Sequence, residues 1–364
     1  MLNELIHLWG EAVKSVRGDV AVQRAISDGH IDAPQYIIAV GKAAAAMAVP
    51  ACRTWPDVPC LVVTKYGHGT EAPPHATVIE AAHPVPDASS LAAGRALQEA
   101  VAACAPGSHL LMLVSGGASA LAEVLDDGLT LEGLSASTNE LLASGATIAA
   151  MNVHRTARSQ IKGGKLLAGF KGAQVTTLAL SDVEGDALAT IGSGIGDAPA
   201  APAFDFQPHI VASNTIARNA AASASARPVT LNAETLYGDI ADLAPRIADH
   251  LKSAPAGLTV LGGEPVTLLP DDPGTGGRNM ALALHLAREI AGVNDLHILV
   301  AGTDGTDGPT DAAGAIVDGT TWQDSGAEAL ARADAYPWLE ARGALLKSGP
   351  TGTNVADLLL AIKD

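Results

Sequence analysis

Cysteine and aromatic residues are both scarce in this 364-residue sequence. The three cysteines, Cys52, Cys60 and Cys104, are odd in number and widely spaced, so they indicate neither a disulfide framework nor a zinc motif. Aromatic residues make up only 3% of the chain. This disfavours an all-β sandwich, because such strands are rich in aromatic and β-branched side chains. The composition instead favours helices packed closely against sheets.

Basic residues are also few: 22 Lys and Arg stand against 39 Asp and Glu, which gives a net charge of −17. We therefore expect no nucleic-acid partner, since binding to phosphate backbones requires a basic surface. No uninterrupted apolar run is long enough to span a bilayer, and the first residues lack the basic start of a signal peptide. These absences predict a cytoplasmic protein without a membrane partner. An anionic ligand would need local cations or backbone N–H groups.

Short apolar runs followed by glycine turns and helical patterns fill the first two hundred residues. These runs start at Tyr36, Cys60, Thr77, Leu110 and Val175. Strands that are nearly continuous in apolar residues indicate a sheet covered on both faces. Alternation of strand, turn and helix predicts a right-handed parallel α/β sheet.

The pattern restarts near residue 230, after a stretch rich in Ala and Pro. We therefore predict two domains, residues 1–230 and residues 231–364. Helices are predicted at Leu141–Ile161, Ala233–Leu251, Asn279–Ile290 and Val355–Lys363. The apolar run Leu296–Ala301 is predicted to be a buried parallel strand.

An aspartate-rich stretch follows that last strand, with Asp304, Asp307 and Asp311 among glycines. Carboxylates just beyond the end of a strand lie where open α/β sheets bind ligands. Three such charges repel one another unless a metal, a cation or a proton compensates them. The alternative is a solvated loop whose aspartates bond to their own backbone.

Two glycine turns follow strands nearer the N-terminus. The stretch from Ser115 to Ser119, with Gly116 and Gly117 inside it, offers backbone N–H groups at a predicted helix start, which suits phosphate or carboxylate. The other turn adds a cation, Lys42. The Lys42 turn is not a Walker A loop, and no strand is followed by the GxGxxG dinucleotide pattern. A plain βα turn is the alternative for both.

Further charges stand at the ends of other elements. Asp182 and Asp186 end an apolar strand, and Glu264 ends another. Such carboxylates can accept a hydroxyl proton or bind Mg²⁺, or they can serve as turn formers. Arg278 stands in the first turn of a predicted helix, where the helix dipole disfavours a cation, so we interpret it as a ligand for phosphate or carboxylate. Together these groups match the requirements of phosphoryl transfer.

Nearly the whole chain resembles the class II glycerate 2-kinases, the family that carries the MOFRL signature. The matching stretches are GKAAAAMA, VTKYGHG, HPVPD, LVSGGASAL, SQIKGGKL, LALSDVEGD, GGEPVT, GGRNMALAL, AGTDGTDGPTDAAGAIVD and GPTGTNVADL. The resemblance implies ATP-dependent phosphorylation of D-glycerate at its 2-hydroxyl, with Mg²⁺. It also implies a Rossmann-like α/β/α N-terminal domain, a smaller α/β C-terminal domain and an active site in the cleft between them.

The hypothesis assigns catalysis to Lys42, Arg278 and Asp182, with Lys42 and Arg278 matching the family's active-site cations. Asp186 and Asp304 are the hypothetical metal ligands. A larger set is assigned to binding the hydroxy acid or the nucleotide: Ser115, Gly116, Gly117, Ser119, Arg155, Lys162, Glu264, Asp304, Asp307, Thr351 and Asn354. The expected partners are a small anionic hydroxy acid, ATP and a second copy of the chain in a homodimer.

Two departures and several alternatives stay open. Where the family has Val-Arg-Lys-His-Leu, this chain keeps Arg155 but carries Thr156 and Ala157, and it has Gly194-Ile195-Gly196 where the family usually has a proline. Either change could alter the substrate or the nucleotide. Alternative functions are a kinase for a related hydroxy acid, an NAD(P)H-dependent hydroxypyruvate reductase and a sugar-acid binding protein without catalysis.

Overall fold

The chain divides into two units by its internal contacts. The structure, a computed structural model, describes residues 1–29, 31–143 and 153–364. One unit is Arg17–Ala212, and the other joins Met1–Val16 to Ser213–Asp364. Residues 1–16 and 213–230 were predicted to lie in the N-terminal domain instead. No sequence pattern could reveal that the first helix packs against a helix two hundred residues later.

The centre of the first unit is a parallel sheet of six strands. The strands are β1 (Tyr36–Val40), β2 (Cys60–Lys65), β3 (Thr77–Ala81), β4 (His109–Val114), β5 (Gln174–Leu180) and β6 (Asp205–Ala212), and the helices are α2 (Gly18–Ser27), α3 (Ala44–Thr54), α4 (Ala88–Ala102), α5 (Ala118–Leu121) and α6 (Leu131–Ala143). The strand order is β3-β2-β1-β4-β5-β6, with every pair parallel. This is the order of the Rossmann fold, which confirms the predicted fold class.

The strand order reverses direction between β1 and β4, which are neighbours in the sheet. The chain winds one way from β1 to β3 and the other way from β4 to β6, so the loops after β1 and β4 leave in opposite directions. In open α/β sheets ligands bind in the crevice at such a point. Lys42 follows β1 and Ser115 follows β4, so both stand at this crevice.

The second unit is built on a mostly antiparallel sheet. Its strands are β7 (Val229–Glu234), β8 (Gly238–Asp239), β9 (Gly257–Gly263), β10 (Pro265–Val266), β11 (Leu296–Gly302), β12 (Gly314–Asp318), β13 (Leu345–Leu346) and β14 (Asp357–Lys363), and its helices are α1 (Leu2–Val16), α7 (Asn214–Ala224), α8 (Ile240–Ser253), α9 (Arg278–Glu289), α10 (Gly326–Ala331) and α11 (Ala335–Glu340). The large sheet has the order β13-β12-β11-β14-β9-β7. Strands β8 and β10 pair separately.

The N-terminal helix belongs to this second unit through specific contacts. Its Glu4 pairs with Arg227, whose Nε lies 2.8 Å from the carboxylate. The Val16 carbonyl, at its other end, accepts a hydrogen bond of 2.6 Å from Thr353 Oγ1. The apolar face of α1, including Leu5 and Leu8, is buried. These contacts join the first sixteen residues to the C-terminal part of the chain.

Two predicted elements of the second unit are wrong, and a third begins later than predicted. Strand β11 was predicted to be parallel, but it runs antiparallel to both β12 and β14. The segment Val355–Lys363 was predicted to be a helix, yet Asp357–Lys363 forms β14. A short run that is apolar all round fits a buried strand as well as a helix. The predicted helix Ala233–Leu251 begins only at Ile240, where Asp239 caps it.

One predicted element cannot be compared with the structure in full. In the predicted helix Leu141–Ile161, residues 144–152 lie outside the described residues. Within the described ranges, no helix is both long enough and apolar enough to cross a membrane.

Candidate active site

The turns after β1 and β4 pack closely against each other and are hydrogen-bonded at the centre of the parallel sheet. Gly41 has a φ of 131°, and a Cβ there would overlap Ser115, so the close approach requires glycine. The Ser115 hydroxyl accepts a hydrogen bond of 3.0 Å from the Ala43 N–H. The Lys42 N–H donates to the Gly116 carbonyl over 2.9 Å. The backbone of Lys42 is therefore fixed by the neighbouring turn.

The Lys42 side chain extends over this turn. A Cβ on Gly117 would lie 2.9 Å from Lys42 Cγ and 3.1 Å from the His83 ring, so the two side chains meet above that glycine. Within the described parts of the chain, Lys42 Nζ makes no hydrogen bond or ion pair. Lys42 thus supplies a cation to the crevice with its charge free for a ligand.

The pKa of His83 reflects the positive charge of this region. Burial, together with the nearby cations Lys42, Lys65 and Arg155, lowers the pKa of His83 to about 4. The imidazole is therefore neutral at neutral pH. Three cations close to one ring create a local positive field in a chain of net charge −17. The position of His83 beside Lys42 was not predicted from the sequence.

Asp182 stands at the same edge of the sheet, two residues after β5. A Cβ on Gly116 would overlap its carboxylate, so Asp182 lies directly against the glycine whose carbonyl holds Lys42. The structure therefore brings together Lys42, Ser115, Gly116, Gly117 and Asp182. The Asp186 side chain makes no hydrogen bond or ion pair with the described residues.

Two other predicted binding residues of this unit have structural partners. Ser119 lies on α5, a single turn of four residues, and its hydroxyl lies 2.9 Å from that of Ser193. Lys162 is fully buried and forms an ion pair with Glu123, which is equally buried. Burial lowers the pKa of Lys162, and Glu123 counteracts this effect. This placement argues against a direct binding role for Lys162, since its charge is already compensated.

Arg155 is the more accessible cation of that segment. It makes no hydrogen bond with the described residues, and burial lowers its pKa while Glu123 raises it. Its effect on His83 places it near Lys42.

Of the departures from the family pattern, Thr156 packs against Gly163, and Gly196 fits tightly beside Val114. Both positions therefore support packing around the site.

The second unit holds a pocket of about 440 Å³ at the start of α9. Its lining includes four of the predicted site residues, Arg278, Asp304, Asp307 and Asn354, and two that the sequence analysis missed, Asn279 and Asp357. A pocket of this size suits a small ligand. Asp357 could have been noticed from the sequence, because an acidic residue that starts an apolar run must be paired if the run is buried.

Arg278 begins α9 and is held by two carboxylates. Its Nε lies 2.7 Å from Asp357 Oδ2, and its Nη1 lies 2.8 Å from Glu264 Oε1. Burial disfavours its charge, but Asp357 and Glu264 more than offset this and raise the pKa of Arg278. Its Nη2 makes no hydrogen bond within the described residues. The guanidinium can therefore offer one nitrogen to a ligand in the pocket.

Asp307 is buried and caps α9, a use that the sequence analysis did not foresee. It accepts hydrogen bonds of 3.1 and 2.8 Å from the N–H groups of Asn279 and Met280. A Cβ on Gly277 would overlap its carboxylate. Burial raises the pKa of Asp307 to about 7. Both carboxylate oxygens accept hydrogen bonds from the start of α9, which argues against the direct ligand contact expected from the sequence.

The other two aspartates of the stretch have different surroundings. Asp304 Oδ1 accepts hydrogen bonds of 3.0 and 3.1 Å from the N–H and hydroxyl of Thr306, while its Oδ2 accepts none from the described residues. Asp311 is exposed, with Tyr336 and Lys347 as partners. Of the three aspartates, Asp304 is therefore the one that combines a pocket position with a free oxygen.

The remaining predicted residues come from the GPTGTN stretch. Thr351 donates a hydrogen bond of 2.6 Å to the Thr303 carbonyl, which ties the stretch to the end of β11. Asn354 lines the pocket. Among the described residues, no group of three or more His, Cys, Asp or Glu side chains is arranged to hold a metal ion. Mg²⁺ is commonly bound by one or two carboxylates together with substrate phosphates.

This geometry defines a class: an α/β enzyme with a free cation and a carboxylate at the ligand crevice of a Rossmann sheet. Comparisons with known proteins narrow the class. Residues 4–225 match the family described as a domain of unknown function, DUF4147, and residues 257–357 match the MOFRL family. The chain therefore belongs to the family of MOFRL-containing glycerate 2-kinases, as its relatives also show.

One relative is the D-glycerate 2-kinase of Thermotoga maritima, which is 33% identical over 98% of this chain and 97% of its own length. Another, from Agrobacterium vitis, bears the provisional name of a hydroxypyruvate reductase and is 36% identical over 88% of this chain and 97% of its own length. The crystal structure of a glycerate kinase from Thermotoga maritima matches with a TM-score of 0.91 and 31% identity, covering 100% of this chain and 99% of that one.

The cationic cluster can be tested through His83. Lys42→Ala should raise the pKa of His83 from about 4 toward its usual value, because one of the cations that oppose its protonation is removed while burial remains. An NMR titration of the His83 ring, assigned with His83→Gln, measures this. Lys171→Ala is the control, since Lys171 is not among the cations acting on His83. An unchanged pKa in Lys42→Ala would contradict the arrangement.

Asp307 should make stability depend on pH. Its pKa of about 7 in the folded protein is above the usual 3.8, so the folded state binds a proton that the unfolded state releases. Its stabilising contribution is therefore full below pH 3.8 and lost as the pH rises through about 7. Denaturant unfolding between about pH 5 and about pH 8 should show this fall, and the fall should be smaller in Asp307→Asn. Part of it should remain in that variant, because burial also raises the pKa of Asp357. Asp311→Asn, which alters an exposed carboxylate, should retain it; equal slopes in all three would refute the assignment.

Proposed function

We propose that this protein transfers the γ-phosphoryl group of ATP to the 2-hydroxyl of D-glycerate and forms 2-phosphoglycerate. The observation that carries the proposal is the free cation Lys42, held by the Ser115–Gly117 turn at the crevice of a Rossmann-type sheet. Phosphoryl transfer depends on positioning and charge stabilisation of this kind. The names of the relatives support D-glycerate as the acceptor and a nucleotide as the donor.

Each of the three catalytic residues has a distinct role in this proposal. Lys42 stabilises the negative charge of the transferring phosphoryl group. Asp182, which lies against Gly116, orients the acceptor hydroxyl and takes its proton. Arg278 offers Nη2 either to the phosphoryl group or to the substrate carboxylate.

The bound nucleotide would carry Mg²⁺ to the site. Asp304 is one proposed ligand of the ion, because it lines the pocket and has an oxygen without a hydrogen-bond donor among the described residues. Asp186 is the other proposed ligand, and within the described ranges its side chain makes no hydrogen bond or ion pair. When bound, Mg²⁺ would neutralise phosphate charge. The homodimer, the cytoplasmic location and an active site in the predicted cleft stay predictions.

A hydroxypyruvate reductase is the second candidate function, because the Rossmann strand order is typical of dinucleotide-binding domains and one relative bears that name. The turn after β1 contains Gly41 and Lys42 but lacks the spaced glycines of the dinucleotide pattern. Without them, a pyrophosphate has no close approach to the helix start. The kinase is therefore the better-supported function.

Two assays on the purified protein separate these functions. We expect ADP formation when D-glycerate, ATP and Mg²⁺ are supplied, because the free Lys42 suits a phosphoryl group. We expect no loss of NADH or NADPH absorbance with hydroxypyruvate. The opposite pair of results would establish the reductase. Lactate, which lacks the 3-hydroxyl, serves as the acceptor control.

Lys42→Ala should lower kcat by about 10²- to 10³-fold, the loss typical of removing one charge-stabilising group. The fold should survive, because the turn is held by backbone hydrogen bonds and by Ser115. A coupled ADP assay and a thermal unfolding curve measure the two effects. Lys171→Ala, an exposed lysine of the same unit, should behave as wild type. Near-normal turnover in Lys42→Ala would contradict the assignment.

A further inference from the structure

Arg278 stands at an electrostatically unfavourable position that its partners must compensate. It is the first residue of α9, where the helix dipole repels a cation. A guanidinium held there only by solvent would move among many rotamers. Its two carboxylate partners therefore determine whether Nη2, which makes no hydrogen bond with the described residues, keeps one orientation toward the pocket.

The two partners differ in burial, and this decides which one fixes the guanidinium. The Asp357 side chain is 4% exposed, while that of Glu264 is 42% exposed. Exposed ion pairs contribute little, because water and salt screen them. A charge-assisted hydrogen bond to a buried carboxylate is shorter and stronger. The bond of 2.7 Å from Arg278 Nε to Asp357 Oδ2 is thus the dominant restraint.

Asp357 is itself held from several directions. Its Oδ1 accepts a hydrogen bond of 2.8 Å from Asn279 Nδ2. Its backbone carbonyl accepts one of 3.0 Å from Asn214 Nδ2. As the first residue of β14, it pairs with Gly263 of β9 and Gly302 of β11. The carboxylate therefore sits on a rigid part of the second sheet.

We propose that Asp357 is the positioning residue for Arg278: it fixes Nε and so presents Nη2 to the pocket. Asp357 acts through the Arg278 guanidinium, and it is Arg278 that contacts the substrate. The inference rests on the proposed function, in which Arg278 binds the phosphoryl group or the substrate carboxylate.

A double-mutant cycle on the full chain tests this role. Asp357→Asn should lower kcat/KM by about 10- to 100-fold, the scale expected when a binding group is misplaced. The parameter that changes, kcat or KM, should be the one that changes in Arg278→Ala. The double variant should be no worse than Arg278→Ala alone, because the carboxylate has no further target once the guanidinium is gone.

Losses that multiply in the double variant would overturn the proposal. Asp318→Asn is the matched control: this carboxylate lies on β12 of the same sheet and accepts from Thr320 and Thr321, so its removal should leave kcat/KM unchanged. Thermal unfolding of each variant shows whether a lost activity reflects lost structure.

NMR of the arginine Nε–H groups tests the contact without turnover. The Arg278 signal, identified by its loss in Arg278→Ala, should exchange slowly with solvent in wild type and at least about 10-fold faster in Asp357→Ala, because Nε then has no side-chain acceptor at position 357 and loses its protection. It should not change in Asp318→Asn. An unchanged Arg278 signal in Asp357→Ala refutes the positioning role. Absence of ADP formation by wild type refutes only the proposed function.

Discussion

The constraint on which this structure depends is the cost of burying a charge without a partner. Lys162 is buried against Glu123, and Arg278 is paired with the buried carboxylate of Asp357. Asp307 is buried against two N–H groups at the start of α9. Each pairing joins elements that are distant in sequence. These charged contacts therefore hold the framework around both sites.

Against this background, a cation without a partner is informative. Lys42 Nζ makes no ion pair within the described residues, although the chain carries an excess of carboxylates. Its backbone is fixed by the turn after β4, and its neighbours Lys65 and Arg155 add positive charge, as the lowered pKa of His83 reflects. A field of this kind attracts anions. The same comparison separates Lys162, which is structural, from Lys42, which is available.

The parallel sheet could be predicted from the sequence because its strands are nearly continuous in apolar residues and end in glycine turns. The first strand begins at Tyr36, as predicted. The prediction failed where local signals are ambiguous. The run Val355–Lys363 suits a helix or a buried strand. It forms a strand because it pairs with β9 on one side and β11 on the other. The same pairing made β11 antiparallel.

The sequence by itself determined the chemical inventory and the family: glycine turns, Lys42, Arg278 and the aspartate-rich stretch are local patterns. The tertiary structure decided what each charge does, because burial and long-range partners are not encoded in spacing. It directed Asp307 to a helix start 28 residues away in sequence and left Asp304 facing the pocket. It also joined Arg278 to Asp357, 79 residues further along the chain, since the buried ends of β14 and α9 meet only in the folded protein.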